Sequence, residues 1–216
     1  MTGSRSHDTP KDAPQDIPKA APGECIGLLG GSFNPAHAGH LHVSLWALDL
    51  LDLDRVWWLV TPQNPLKPTV GMASYSERRG GAEKAASDPR ITVTGLERDL
   101  GTNYTIDTLK ALWEIYPHTR FVWLMGADSL LEAHLWKSWR DLFRLVPIAV
   151  FNRQPYSSRA LGAVAARRFA RARVAAARCR YLSRMKPPAW VFLSIPSHPA
   201  SATRIRARSK VFRQDA

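Results

Sequence analysis

Short apolar runs separated by helix-patterned segments constrain this chain more than any other feature. "CIGLLG" (25–30), "RVWWLV" (55–60), "ITVTG" (91–95), "RFVWLMG" (120–126), "PIAVF" (147–151) and "WVFLS" (190–194) read as strands. Most are continuous rather than alternating, as expected of strands covered on both faces. Between them lie "HLHVSLWALDLL", "SYSERRGGAEKAA" with Ser74 and Glu77 at capping-box spacing, "TIDTLKALWEIY" and "DSLLEAHLWKSWRDLF". A long Arg- and Ala-rich helix near 158–180 and a terminal helix from about Ala202 complete the pattern. Strand and helix in repetition predict an α/β fold, a Rossmann-like doubly wound parallel sheet with helices on both faces.

A chain of 216 residues, 45% of them hydrophobic, has enough material for one core. We therefore expect one domain over residues 24–216. Residues 1–23, rich in Pro, Asp, Lys and Ser without apolar periodicity, are expected to form a disordered tail. No apolar run approaches the ~20 residues of a membrane span, and a signal-peptide core is missing. Cys25 and Cys179 lack metal-ligand spacing and read as two reduced thiols. These features predict a soluble, cytoplasmic protein. The net charge of +12 calls for an acidic partner without choosing among nucleic acid, phosphorylated metabolite and anionic membrane.

The first strand runs straight into "GGSFNPAHAGHLHVS". In an open parallel sheet ligands bind beyond the carboxyl ends of the strands, and here two glycines permit a sharp turn and a close backbone approach. Helical spacing resumes at Leu41, Leu45 and Leu48, which places His37 and His40 at or just before a helix N-terminus. Unpaired N–H groups and the helix dipole favour anions there, so a phosphate site is the reading the residues support. Neither GxxxxGK[ST] nor GxGxxG occurs. A zinc site built on His37, His40 and His42 would lack nearby Cys or carboxylate ligands. A purely structural turn is the remaining alternative.

The stretch "GGSFNPAHAGH" resembles the signature of the HxGH-type nucleotidyltransferases. "TPQNPLK" (61–67), "YTIDTL" (104–109), "WLMGADSL" (123–130) with Trp136 and Trp139 beyond it, and "SATRIR" (201–206) are similar to the motifs of nicotinate-nucleotide adenylyltransferases within that superfamily. The likeness extends over about Cys25–Arg208. It implies adenylyl transfer from ATP to nicotinate mononucleotide, giving nicotinate adenine dinucleotide and pyrophosphate, with Mg²⁺ carried in on the ATP phosphates. It also implies catalytic roles for His37, His40 and Arg206, and ATP contacts from Gly30, Gly31, Ser32, Phe33, Asp128, Ser201 and Thr203. Lys67, Trp136 and the backbone N–H groups of Thr105 and Lys137 would hold the mononucleotide. The family often has Asp where this chain has Asn34, and Ser where it has Ala202.

Each assignment has a plain structural alternative. Lys67 is otherwise a solvated lysine, Asp128 a helix cap, Trp136 a core residue, and Arg153, after "PIAVF", a surface ion-pair partner rather than a nucleotide contact. A different acceptor, such as phosphopantetheine, keeps the superfamily but changes the product. A nucleic-acid-binding protein would use the basic stretch 159–184 and the tail "RIRARSK". Phe169 and Tyr181 offer it little stacking platform, so nucleic acid is disfavoured as the main partner.

Overall fold

A computed structural model describes residues 17–62, 71–152, 157–196, 198 and 200. Seven strands fall within these residues: β1 (Cys25–Gly31), β2 (Arg55–Val60), β3 (Ile91–Thr94), β4 (Arg120–Gly126), β5 (Ile148–Phe151), β6 (Arg173–Val174) and β7 (Trp190–Leu193). They form one sheet in the order β3-β2-β1-β4-β5-β7-β6, and every pair is parallel. The helices are α1 (Ala38–Leu51), α2 (Tyr75–Ala85), α3 (Leu96–Asp99), α4 (Thr105–Ile115), α5 (Ala127–Glu132), α6 (Trp139–Leu145), α7 (Ser157–Leu161) and α8 (Val164–Arg168), with 3₁₀ segments at Ala133–Leu135, Ala170–Ala172 and Ala176–Arg184. The sheet is Rossmann-like and doubly wound, as the strand pattern predicts.

Burial explains why the strands read as continuous apolar runs. Alternate residues of one strand enter different cores: Ile26, Leu28, Trp57, Phe121 and Trp123 face one side, and Leu29, Val56, Trp58, Val122 and Leu124 the other. The first core is closed by Leu109 and Leu112 of α4, Leu130 of α5 and Phe143 of α6. The second is closed by Val43, Ala47 and Leu51 of α1 and by Leu182. Each fully buried large side chain is worth about 1.5–3 kcal/mol, so the two layers lock the strand register from both sides. Helix α2 starts with the expected box: Ser74 Oγ accepts from Glu77 N at 3.3 Å and Glu77 Oε2 accepts from Ser74 N at 2.9 Å.

Three expectations need correction. The Arg- and Ala-rich stretch is not one helix: it breaks at Gly162, and Arg173–Val174 is drawn off as an edge strand beside β7. No acidic residue between Asp141 and Asp215 relieves repulsion among its arginines. The guanidinium of Arg173 instead lies over the rings of Trp190 and Phe192, and Trp190 Nε1 donates to Phe169 O at 2.8 Å. The segment 128–143 is likewise divided, because Ser138 at φ +48° turns the chain between Trp136 and α6. Finally, Ile17–Gly23 does not behave as a disordered tail. Ile17 and Ala20 pack on the first core, the Tyr116 hydroxyl donates to Pro18 O, and Gly23 N donates to His118 O at 2.7 Å. Residues 1–16 and the terminal helix expected from Ala202 lie outside the described residues.

Both cysteines are unpaired and buried. No helix among the described residues is long and apolar enough to cross a membrane.

Candidate active site

The strand order changes direction between β1 and β4, and that is where the glycine-histidine stretch emerges. The pairing runs from Cys25↔Arg120 to Leu29↔Leu124, and the same offset sets Gly31 level with Gly126. Both strands therefore deliver their carboxyl ends, with Asp128 in the first turn of α5, to one crevice. Gly30 is required by close approach: a Cβ there would stand 2.5 Å from Cη2 of Trp123. Phe33 follows in left-handed backbone, φ +46°, buried and stacked on Trp58 at 5.1 Å. Anchored in this way, the turn has a fixed shape.

His37 is the N-cap of α1 and His40 its third residue, and the two imidazoles form a reciprocal capping box. Gly39 N donates to His37 Nδ1 at 3.1 Å, and His37 N donates to His40 Nδ1 at 3.2 Å. Because each Nδ1 accepts a backbone proton, a neutral ring carries its hydrogen on Nε2. Both rings are therefore set up as Nε2–H donors at the positive end of a helix of 14 residues. Their centroids are 3.9 Å apart, and His40 also packs on Phe33 at 4.8 Å. Below them Ser44 Oγ donates to His40 O at 2.9 Å and accepts from Trp58 Nε1 at 2.8 Å, fixing α1 against β2. This arrangement suits phosphate oxygens. Among the described residues no group of three His, Cys, Asp or Glu side chains could hold a metal, and the zinc reading of His37, His40 and His42 gains nothing: His42 Nε2 instead lies 2.7 Å from Pro196 O.

The departure at Asn34 has a local reason. Its Nδ2 donates to Gly71 O at 3.3 Å while Oδ1 accepts from Ala73 N at 3.2 Å. An aspartate could keep the second bond but would oppose the Gly71 carbonyl.

A second group of sequence-selected residues meets at the start of α4. Thr105 opens that helix, where N–H groups have no intrahelical acceptor. Lys137 Nζ binds Asp107 Oδ2 at 2.8 Å and lies 4.6 Å from the Tyr104 ring centroid, which brings the Trp136–Lys137 segment beside Thr105. Trp136 is only partly buried and packs edge-on against Trp123 at 6.5 Å. Trp123 also lies under Gly30, so one indole borders both the glycine-histidine turn and the Trp136–Lys137 segment. Asp128 does not cap α5: Gly126 holds the cap position and no side chain bonds there. Its Oδ1 is buried without a partner among the described residues.

Lys67, Arg153, Ser201, Thr203 and Arg206 lie outside the described residues. Ala200 lies beside the histidines, its O 2.9 Å from a Cβ built on Gly39.

Two residues escape sequence reasoning. Arg78, 3% exposed, donates to the carbonyls of Ser32, Thr61, Pro62 and Ala73 at 2.7–3.2 Å. Desolvation lowers its pKa, yet four carbonyls compensate the charge. Glu97 is equally buried, and desolvation pushes its pKa to about 7 against the pull of hydroxyls from Thr61 and Thr108. For Arg78 the one available signal is helix α2 itself, which has almost no apolar stripe and therefore needs something other than a hydrophobic face to seat it.

Residues 28–208 match the cytidylyltransferase-like family model. A "probable nicotinate-nucleotide adenylyltransferase" of Parvibaculum lavamentivorans is 51% identical over 187 residues, covering 87% of this chain and 93% of the relative. One of the same description from Ruegeria pomeroyi is 48% identical over 193 residues, 89% of this chain and 90% of its own. In fold the chain is similar to Plasmodium falciparum nicotinic acid mononucleotide adenylyltransferase complexed with NaAD, with TM-score 0.64, 17% identity, and coverage of 85% and 83% of the two chains. The chain belongs to the cytidylyltransferase-like family and, within it, to the nicotinate-nucleotide adenylyltransferases.

Proposed function

We propose that this nucleotidyltransferase joins the adenylyl group of ATP to nicotinate mononucleotide, forming nicotinate adenine dinucleotide and releasing pyrophosphate, a step of NAD biosynthesis. The observation that carries the reading is the pair of Nδ1-anchored imidazoles at the start of α1, set at the switch point of the sheet. A phosphate monoester has its second pKa near 6 and is already an anionic nucleophile at neutral pH, so a general base is not required. Its oxygen attacks the α-phosphorus of ATP. The bond to the bridging oxygen breaks, and pyrophosphate leaves with the electron pair. Holding two anions in line and stabilising the leaving charge is the work left to the protein.

His37 and His40 donate from Nε2 to the phosphates, Gly30 and Gly31 let backbone approach them, and Ser32 and Phe33 shape the turn. Asp128, with its buried unpartnered Oδ1, accepts from a ribose hydroxyl. Ser201, Thr203 and Arg206 are assigned to the triphosphate, and Lys67 to the mononucleotide phosphate. Trp136 stacks on the pyridine ring, while the N–H groups of Thr105 and Lys137 face its carboxylate. The ion is assigned to the ATP phosphates, on which it arrives while keeping most of its waters. When bound, Mg²⁺ would neutralise charge on the phosphates.

The test is pyrophosphate release from ATP with nicotinate mononucleotide, nicotinamide mononucleotide and phosphopantetheine as separate acceptors, with and without EDTA. Turnover with nicotinate mononucleotide that EDTA abolishes is expected. Preference for phosphopantetheine would replace the acceptor, and full activity in EDTA would remove the ion.

A further inference from the structure

A set of buried and half-buried polar groups joins the two halves of this site without belonging to either. Thr61, just past β2, donates its N–H to Gly31 O at 2.9 Å and accepts at its carbonyl from Arg78 Nη1 at 2.8 Å. The same Arg78 nitrogen donates to Ser32 O at 2.7 Å, inside the phosphate turn. The Thr61 hydroxyl bonds to the Glu97 carboxyl. On the far side Thr108 Oγ1 donates to Glu97 Oε1 at 3.5 Å and lies 2.8 Å from Thr102 Oγ1, while Thr102 N donates to Glu97 O at 2.8 Å. Ser32, Arg78, Thr61, Glu97 and Thr108 thus connect the phosphate turn to the first turn of α4, which begins with Thr105. Glu97 Oε2 is buried and has no partner among the described residues.

We propose that these contacts form a strap holding the acceptor helix in register with the phosphate turn, and that Glu97 is a positioning residue for the mononucleotide. The proposal rests on the adenylyl-transfer reading. A neutral Glu97 sits in this strap at no Coulombic cost, whereas an ionised one places negative charge against the first turn of α4, the element assigned here to an anionic acceptor. The groups facing the carboxyl from the β2 exit and from α4 are the hydroxyls of Thr61 and Thr108. Nearby charges are engaged elsewhere: Arg78 of α2 on carbonyls, Arg98 of α3 over the Tyr75 ring at 5.3 Å, and Asp107 of α4 on Lys137. Since burial raises the Glu97 pKa to about 7, ionisation falls within the working range, and acceptor affinity should decline as pH rises through it.

The experiment measures kcat and both KM values from pH 6 to about pH 8.5 for the wild type, Glu97→Gln and Glu97→Ala. In the wild type the acceptor KM should rise by about five- to tenfold across that range while the ATP KM moves less than about twofold. Glu97→Gln should flatten the rise. Glu97→Ala should raise the acceptor KM at every pH, and the Gln variant should restore it. An identical pH profile in Glu97→Gln, or an unchanged acceptor KM in Glu97→Ala, overturns the role. A readout free of catalysis is amide hydrogen exchange in Thr61→Val: Thr105–Leu109 should exchange faster while α6 does not. If the wild type fails to use nicotinate mononucleotide, the reaction is refuted and the strap is judged by exchange alone, where unchanged protection of α4 refutes it.

Discussion

Replacing Gly39 by alanine should separate stability from activity. Gly39 is the second residue of α1, where alanine gains up to about 1 kcal/mol over glycine in helix propensity. A Cβ there would lie 2.9 Å from Cε1 and Nδ1 of His37 and 2.9 Å from Ala200 O. Ordinary contact requires the imidazole to retreat by roughly 0.5–1 Å, which stretches the 3.1 Å bond from Gly39 N beyond hydrogen-bonding range. That loss is worth about 0.5–1.5 kcal/mol and roughly cancels the propensity gain, and since the Ala200 carbonyl must also give way a small net destabilisation remains. For a chain of this size the Tm should then stay within about 2–4 °C of wild type. Activity has no such compensation. A displacement approaching 1 Å in a positioning group costs up to about 10²-fold, so kcat/KM for pyrophosphate release should fall by about 10- to 100-fold. Thermal melts and steady-state kinetics on the same preparation make the comparison. A kcat/KM within twofold of wild type in a folded Gly39→Ala protein would show that the position of His37 does not matter to the reaction.

His40→Ala should lower kcat by on the order of 10² or more, the scale of losing one donor to developing charge, with near-normal turnover in a folded variant as the contrary result. Nicotinamide mononucleotide should be used about 30- to 1,000-fold less well than nicotinate mononucleotide, since its carboxamide can turn its oxygen to one N–H donor but must then present its NH₂ to the other. Trp136→Ala should weaken both substrates and reduce this preference without reversing it, and an unchanged KM would return Trp136 to a packing role. Deleting residues 1–16 should leave Tm unchanged, whereas extending the deletion to Pro22 should cost about 1–3 kcal/mol, because the Tyr116 hydroxyl loses its acceptor and Ile17 its burial. Equal melting temperatures for the two truncations would show that Ile17–Pro22 contributes nothing.

What the sequence disclosed followed its physics closely. Strands such as Arg120–Gly126 are covered on both faces, so their burial appears as an unbroken apolar run wherever the rest of the chain lies. His37 and His40 were legible because a capping position is a local property of the backbone. Arg78 and Glu97 were not, since their partners come from residues such as Ser32 and Thr61, brought in by other strands. A charged side chain on a polar helix reads as solvated until a loop closes over it. The 158–180 stretch differs from its expected helix for a related reason: its alanines favour helix, but the open edge of β7 offers Arg173–Val174 a competing use. The short 17–23 segment was misjudged because composition alone cannot register one isoleucine finding a hydrophobic shelf.

The pairing of β1 has a consequence for how the chain assembles during synthesis. One side of β1 is satisfied by β2, which follows it closely, but the other waits for β4, which begins at Arg120. At roughly 5–20 residues per second a nascent chain therefore carries an apolar, half-paired strand for several seconds. β1 contains Gly27, Gly30 and Gly31, and glycine is a poor strand former. The same small residues that let Trp123 close on the turn thus weaken β1 as a template for stray strands while its edge is open. Only when β4 docks does the crevice between them exist at all, so a ribosome-bound chain that ends before Arg120 holds its histidines on a helix with nothing opposite.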